Sequence, residues 1–384
     1  MDIKNYIVNG FYHIFGAPFR LLPIRNKTVL LEAYYGRGYT DSPRAIAEEL
    51  HRRNIEDLKL IWLFRTTKDK DSLPNYIHPV KRFTFKELYY LATSKIWIDN
   101  CRKNAGMLKR KKQFYIQTWH AGLHGKRVEK DVAEHLSGSY VRNAMHDSKM
   151  ADLFISGSSW ETELYRNSFW YKGAILEKGL PRNDIFFENS SDIVSKVYRT
   201  YSISSEYKIV LYAPTFRVDA DISQYDLDYE RLIQNLSKYW GGNWVIIIRM
   251  HPSAVDLQNT IKYSSNIING TYYPEINELI IASELMITDY SSCIFDALLA
   301  NKRIIQYASD IKKYMGDRGT YFSLEDMPFP LAQDNDEMEK QIKDYKVDEE
   351  QLRQANFLSS KGSFESGNAS QAVADLIVNI IENA

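Results

Sequence analysis

The stretch QTWHAGLHGKRVEKD, residues 117–131, sets His120 and His124 among glycines and charges behind an aromatic side chain. A histidine titrates near neutrality, so it can take the proton of a hydroxyl that is otherwise a poor nucleophile. In IIIRMHP, Arg249 and His251 stand two residues apart and so face one side of an extended strand. Both side chains can donate to the oxygens of a diphosphate. YAPTFR contributes Thr215 and Arg217. In LMITDYSSCIFDALLANK (285–302), a strand ending at Asp289 runs through Tyr290, Ser291 and Ser292 into a helix striped by Ile294, Phe295, Leu298 and Leu299. The free N–H groups and positive dipole of a helix start form a phosphate cradle, with plain N-capping as the competing reading. The triplet DAD (Asp219, Asp221) resembles a metal-holding motif, but DLD and DND also occur in this acidic chain, and no metal is assigned. The glycines of YYGRGYTDSP (34–43) complete neither a GxGxxG fingerprint nor a P-loop. They read as a tight strand-to-helix turn with Ser42 near the cap.

These residues need elements to hold them. Short apolar, β-branched or aromatic runs recur at 28–35, 58–64, 95–100, 114–119, 152–157 and 174–179, and again at 208–214, 244–250, 265–270, 285–289 and 303–308. Segments of helical spacing, such as SPRAIAEELHRRN and SSWETELYRNSF, lie between most of them. Alternating strands and helices argue for parallel sheets built from βαβ units, and the near-continuous apolar strands agree. The polar stretch 187–207 separates six strands from five. It divides the chain into an N-terminal Rossmann-like domain (1–190), a second Rossmann-like domain (191–365) and a closing helix (366–384) near the domain junction. Most polar clusters fall just past the carboxyl end of a strand, where open parallel sheets bind ligands. The fold class expected is α/β, with two parallel-sheet domains facing across a cleft.

The composition excludes several classes. At 384 residues the chain exceeds one ordinary core. Forty-nine basic and 49 acidic residues cancel, which argues against a basic nucleic-acid binder. Two cysteines make no disulfide framework and fit a reducing cytoplasm. No apolar run reaches the ~20 residues that span a bilayer. The loop CRKNAGMLKRKKQ (101–113) carries six Lys/Arg around Gly106, Met107 and Leu108, a composition that suits an anionic membrane surface. A solvated turn between strands is the alternative.

Taken in order, QTWHAG with the later lysine and EKD, GLPRND, LYAPTFR, RMHP and ITDYSSCIFDALLANKRIIQY resemble the CDP-glycerol glycerophosphotransferase family, over most of the chain. The resemblance implies a GT-B architecture and the transfer of glycerol phosphate from CDP-glycerol to a lipid-linked or polymeric acceptor, with release of CMP, in teichoic acid or capsular polymer synthesis. It implies no cofactor and no nucleic-acid partner, and a cytoplasmic enzyme peripheral to the inner face of the membrane. His120 is then the base. His251, Arg249 and Lys126 assist the chemistry, and Thr215, Arg217, Arg249, His251, Asp289, Ser291 and Ser292 hold the donor phosphates. Ser42, Trp119, Glu129, Asp131, Arg182 and Asp184 are acceptor-side candidates. Family members read Trp-His-Gly-Thr-Pro where this chain reads Trp119-His120-Ala121-Gly122, which leaves CDP-ribitol as an alternative donor. A nucleotide-sugar glycosyltransferase of the same architecture and a non-catalytic binding subunit are the rival readings.

Overall fold

The computed structural model describes residues 3–215, 226–250, 261–311 and 319–383. Arg217, Asp219, Asp221 and His251 lie outside the described residues. Two open sheets result. The first runs in the order β3-β2-β1-β4-β5-β6-β7, with β1 Arg25–Glu32, β2 Lys59–Phe64, β3 His78–Lys81, β4 Ser94–Asp99, β5 Phe114–Gln117, β6 Leu153–Ser156 and β7 Ala174–Glu177. The second runs β10-β9-β8-β11-β12-β13, with β8 Tyr207–Tyr212, β9 Asn243–Ile248, β10 Ile267–Asn269, β11 Leu285–Thr288, β12 Arg303–Tyr307 and β13 Leu331–Ala332. Every neighbouring pair is parallel.

All eleven runs read from the sequence are strands here. The two that the reading missed, β3 and β13, are short edge strands. β3 carries Pro79, which a sheet tolerates at its edge because proline has no N–H to give the ladder. Central strands such as β2, β4 and β9 are buried almost throughout, as expected where helices cover both faces.

The chain divides into two compact units: residues 1–122, 128–187 and 363–384, and residues 123–127 and 188–362. This differs from the boundaries expected from sequence in two places. Leu123–Arg127, within the histidine loop, belongs to the second unit. The closing helix Ala369–Glu382, expected near a domain junction, belongs to the first unit: Val373, Ala374, Ile377 and Ile381 join Val29, Leu31, Ile46 and Ile98 in its core. Asp184 fixes that helix by accepting the N–H groups of Ala369 and Ser370 at 3.0 and 2.7 Å. The polar stretch that separates the two sets of strands contains the helix Ser191–Tyr201, which buries Val197.

The first strand-to-helix turn shows why YYGRGY holds a glycine. Gly36 has φ +80°, and a Cβ there would lie 3.1 Å from the backbone of Phe64 and Arg65. The helix Asp41–Arg52 follows it, burying Ile46, Ala47 and Leu50.

Ile377→Ala should destabilise the first unit by about 2–5 kcal/mol, the usual cost of opening a cavity at a fully buried isoleucine. Urea unfolding followed by tryptophan fluorescence measures it. Leu352→Ala, at an exposed position, should leave the midpoint within error.

Candidate active site

His120 follows β5 by three residues, and the turn that delivers it is tightly specified. The Gln117 side-chain oxygen accepts the N–H of Trp119 at 2.9 Å, while its amide donates to the carbonyl of Cys101 and to the Tyr115 hydroxyl, both at 2.9 Å. Trp119 takes φ +53°. The His120 imidazole is half-buried, and its Nδ1 lies 2.8 Å from the carbonyl oxygen of Asn100. A carbonyl only accepts, so Nδ1 carries the proton and Nε2 keeps its lone pair. Among the described residues no hydrogen bond is made to Nε2. Burial lowers the His120 pKa below the ordinary histidine value, outweighing the Asn100 carbonyl and the Asp41 charge, which both raise it. The ring is therefore neutral at pH 7, as a general base requires.

The backbone of His120 is pinned as well. Arg182 Nη1 donates to the His120 carbonyl at 2.6 Å and pairs with Asp41 at 3.1 Å. Asp41 also accepts the Tyr34 hydroxyl at 2.7 Å. The Trp119 and Tyr34 rings lie 4.4 and 5.9 Å from the imidazole, centroid to centroid. Tyr34, Asp41 and Trp119 all have positive φ (45°, 65° and 53°). Each such residue costs about 1–3 kcal/mol, and such strain gathers at functional sites.

Other acceptor-side candidates divide by role. Ser42 is buried and accepts the Arg182 N–H at 3.3 Å, so it belongs to the His120 cluster. Glu129 is also buried, taking Arg102 Nη2 at 2.8 Å and the Tyr140 hydroxyl at 2.5 Å; Arg102 in turn lies over the Trp119 ring. Glu129 thus supports the tryptophan. Asp131 accepts the Ser168 hydroxyl at 2.6 Å, and Asp184 holds the closing helix. Asn100, Tyr34 and Asp41 are the residues the sequence reading missed. Asn100 ends the run KIWIDN, and the same strand-end rule that found His120 would have found it.

The basic loop at 101–113 is corrected by the structure. Arg102 and Lys103 are buried in ion pairs: Arg102 with Glu129 and Asp147, Lys103 with Glu32 and Asp99. Met107, read as an apolar tip, is 2% exposed. Lys109 pairs with Asp152 at 2.7 Å, and Arg110 donates to the carbonyls of Leu22 and Ala92. Only Lys111 and Lys112 of the six cations are exposed.

In the second unit, the end of β11 organises its neighbours. Both carboxylate oxygens of Asp289 accept the Thr215 N–H (2.9 and 3.1 Å), and one also accepts the N–H of Tyr290 at 2.6 Å. Asp289, offered as a donor-phosphate residue, therefore binds backbone amides and fixes the β8 and β11 ends beside each other. Ser292 occupies the N-cap position of the helix Cys293–Leu299, but its side chain makes no capping bond. Plain N-capping thus does not account for the hydroxyl. Ser291 Oγ lies 3.1 Å from Cys293 Sγ. The helix buries Ile294, Phe295 and Leu298 as expected. Arg249 is half-buried at the end of β9, with its guanidinium donating to the Tyr273 carbonyl. Lys126 bridges Thr320, and the adjacent Gly125 carbonyl accepts the Tyr321 N–H at 2.8 Å. Among the described residues no group of three or more His, Cys, Asp or Glu is placed to hold a metal.

Two units, each built on a parallel sheet that brings polar residues to its carboxyl end, have the GT-B-like architecture. A model of the CDP-glycerol:poly(glycerophosphate) glycerophosphotransferase family matches residues 15–379. The chain belongs to that family. It is 32% identical over 373 residues to the teichoic acid poly(glycerol phosphate) polymerase of Staphylococcus epidermidis, covering 92% of this chain and 51% of the relative. With the enzyme of the same description from Bacillus spizizenii it shares 31% over 370 residues, covering 92% and 93%. The chain spans about half the length of the first and nearly all of the second. Among solved structures, a variant of the wall teichoic acid polymerase TagF soaked with CDPG matches with TM-score 0.84 at 29% identity, over 99% of this chain and 96% of that one.

Because the imidazole must be neutral to accept a proton and burial lowers its pKa, the acid limb of the kcat/KM profile should fall below pH 6.5. A limb at or above that value contradicts the burial argument. On the reading of His120 as general base of a CMP-releasing transfer, Arg182→Met, which frees the His120 carbonyl, should lower kcat by about 100-fold with KM little changed, in steady-state assays of CMP release.

Proposed function

We propose that this chain transfers glycerol phosphate from CDP-glycerol to a hydroxyl of a lipid-linked or polymeric teichoic-acid-type acceptor. The observation that carries the reading is His120, held by its Nδ1–H on the Asn100 carbonyl as a neutral base, in a chain of this family. The acceptor hydroxyl gives its proton to His120 Nε2 and attacks the β-phosphorus. A phosphodiester forms, the bond from that phosphorus to the bridging oxygen breaks, and CMP leaves. Charge grows on the leaving phosphate in the transition state. Arg249, Arg217, His251 and Lys126 supply positive charge or donors to it, and Ser291 and Ser292 donate from the helix start. Asp289 acts one step removed, by fixing the Thr215 backbone. CDP-ribitol is the alternative donor.

The acceptor reading includes a membrane surface. No helix among the described residues is long and apolar enough to cross a membrane. The first unit nonetheless exposes Ile7, Ile14, Phe15, Leu21, Phe83 and Phe85, with Leu21 89% exposed. Phe15 and Phe85 lie 6.1 Å apart, centroid to centroid. Arg20, Lys81, Lys86, Lys111 and Lys112 are exposed in the same unit. Arg110, just before the last two, donates to the Leu22 carbonyl. An apolar patch with cations suits peripheral binding to an anionic leaflet at the cytoplasmic face.

His120→Ala should lower CMP release from CDP-glycerol by about 10²–10⁴-fold while circular dichroism stays unchanged. Near-normal turnover in the folded variant rules out His120 as the base. Mass spectrometry of parallel incubations with CDP-glycerol and CDP-ribitol reads the product, and a glycosidic bond would favour the glycosyltransferase reading. Replacing both Phe15 and Leu21 by Ser should abolish co-sedimentation with anionic vesicles and leave turnover on a soluble acceptor intact.

A further inference from the structure

In the first unit, register lines up the carboxyl ends of five neighbouring strands. Lys81 of β3 pairs with Phe64 of β2, and Leu31 of β1 pairs with Trp62 of β2. Glu32 of β1 pairs with Asp99 of β4, which pairs in turn with Gln117 of β5. At or just past those ends, in the order β3-β2-β1-β4-β5, stand Lys81, Arg65, Arg37, Asn100 and His120. Neighbouring strands lie about 4.8 Å apart, so the row runs roughly 19 Å, longer than one polyol phosphate. Lys81, Arg65 and Arg37 are exposed, and among the described residues none of the three is in an ion pair. Nearby carboxylates are taken up elsewhere. Glu32 and Asp99 are buried against Lys103, and Asp69 accepts the N–H groups of Thr66 and Gly38 at 2.7 and 3.1 Å. The turns along the row are tied to one another: the Arg65 N–H donates to the Gly36 carbonyl at 2.8 Å, and the Arg82 N–H to the Phe64 carbonyl at 2.9 Å. Four aromatic residues here, Tyr34, Tyr35, Phe83 and Trp119, take positive φ (45°, 60°, 59° and 53°), and all follow the ends of β1, β3 or β5. Backbone strain of this kind gathers at functional sites.

We propose that this sheet edge is a track for a phosphodiester-linked acceptor chain, in which Arg65 and Arg37 hold successive phosphates and bring the chain's end to His120; the proposal rests on the acceptor reading above. Arginine suits the task because its planar guanidinium meets two phosphate oxygens at once. A row of separate cations suits a ligand whose charges repeat along its length, whereas a small phosphorylated molecule would need them convergent. A lipid leaflet fits this row less well. Leaflets reward apolar side chains set beside cations, and along this edge that pairing is found at Lys81 and Phe83, at its outer end. The β2 and β1 ends carry Arg65 and Arg37 with Tyr35, and His120 is half-buried at the inner end, where one extended chain reaches and a flat surface does not. A lipid-linked acceptor would then leave the leaflet at Lys81 and run inward along the row.

Fluorescence anisotropy of the full chain with a labelled, soluble poly(glycerol phosphate) oligomer longer than the row tests this. Replacing both Arg37 and Arg65 by Ser should weaken binding about tenfold, the scale of two Arg–phosphate contacts, and make it less sensitive to salt. Replacing both Lys27 and Lys59 by Ser removes exposed cations from the amino ends of the same two strands, β1 and β2, and should leave the affinity unchanged. Equal weakening in the two variants would reduce the effect to general charge attraction and overturn the track. Unchanged affinity in the arginine variant, or no binding of the oligomer by the wild-type chain, would overturn it as well. Co-sedimentation with anionic vesicles separates the lipid from the polymer: an arginine variant that keeps the oligomer and loses the vesicles would assign these cations to the leaflet, against the proposal. CMP release from CDP-glycerol tests the transfer reading apart from the track. A chain that binds the oligomer through the two arginines but releases no CMP would sink that reading and leave the track standing.

Discussion

The hydrogen bond from His120 Nδ1 to the Asn100 carbonyl is the contact on which the base proposed for the first unit depends. It selects the tautomer and orients the ring, and so leaves the nitrogen that can accept a proton on the other side. A single carbonyl can do this only if it does not move. The residues around Asn100 see to that. Asp99 accepts the Cys101 N–H at 2.9 Å, its own carbonyl accepts the Thr118 N–H, and Asn100 Oδ1 takes the Tyr34 N–H at 2.9 Å.

Beneath this turn lies a buried ionic group. Register places Glu32 of β1 beside Asp99 of β4, two carboxylates at adjacent strand ends. Lys103 reaches both, and Arg82 pairs with Glu32 at 3.0 Å. Burial works to raise Glu32, but Arg82 and Lys103 overcome it and hold the group ionised. Burial prevails at Asp99, which is pushed up despite Lys103. Lys103 thus stands between two carboxylates whose charges burial and their mutual repulsion both oppose. Removing one partner of such a group leaves an uncompensated buried charge and costs more than the pair itself contributes. These charges therefore act as rigid pins for the turn that carries the Asn100 carbonyl. That is why the lysine and arginine of CRK are absent from the surface.

The second unit uses a different device for the same purpose. Asp289 binds backbone amides from two strand ends. A carboxylate engaged in this way can stand beside the proposed donor phosphates, because its oxygens are already taken by N–H donors. Its carbonyl in turn holds Gln306. One residue therefore couples Thr215 past the end of β8, Gln306 of β12 and the segment leading into the helix Cys293–Leu299.

Much of this was legible in the chain itself. The alternation of apolar runs and helical spacing gave eleven of the thirteen strands among the described residues, because central parallel strands must be apolar on both faces. The rule that ligands gather at the carboxyl ends of such strands pointed to His120, Arg249, Thr215 and the serines, because strand direction fixes which end of each run meets a ligand. Side-chain partnership was not legible. Glu129, Asp184 and Asp289 are acidic residues at strand ends or in loops, and nothing in their spacing distinguishes a substrate contact from a helix cap or an amide acceptor. The basic loop looked exposed because composition counts charges, whereas burial depends on whether Glu32, Asp99, Glu129 and Asp147 arrive from distant strands and helices to meet them. Sequence alone determined the sheets and the strand ends to which polar residues are delivered. Only the tertiary structure decided which polar groups are taken up in holding the scaffold, because that depends on contacts between residues far apart in the chain.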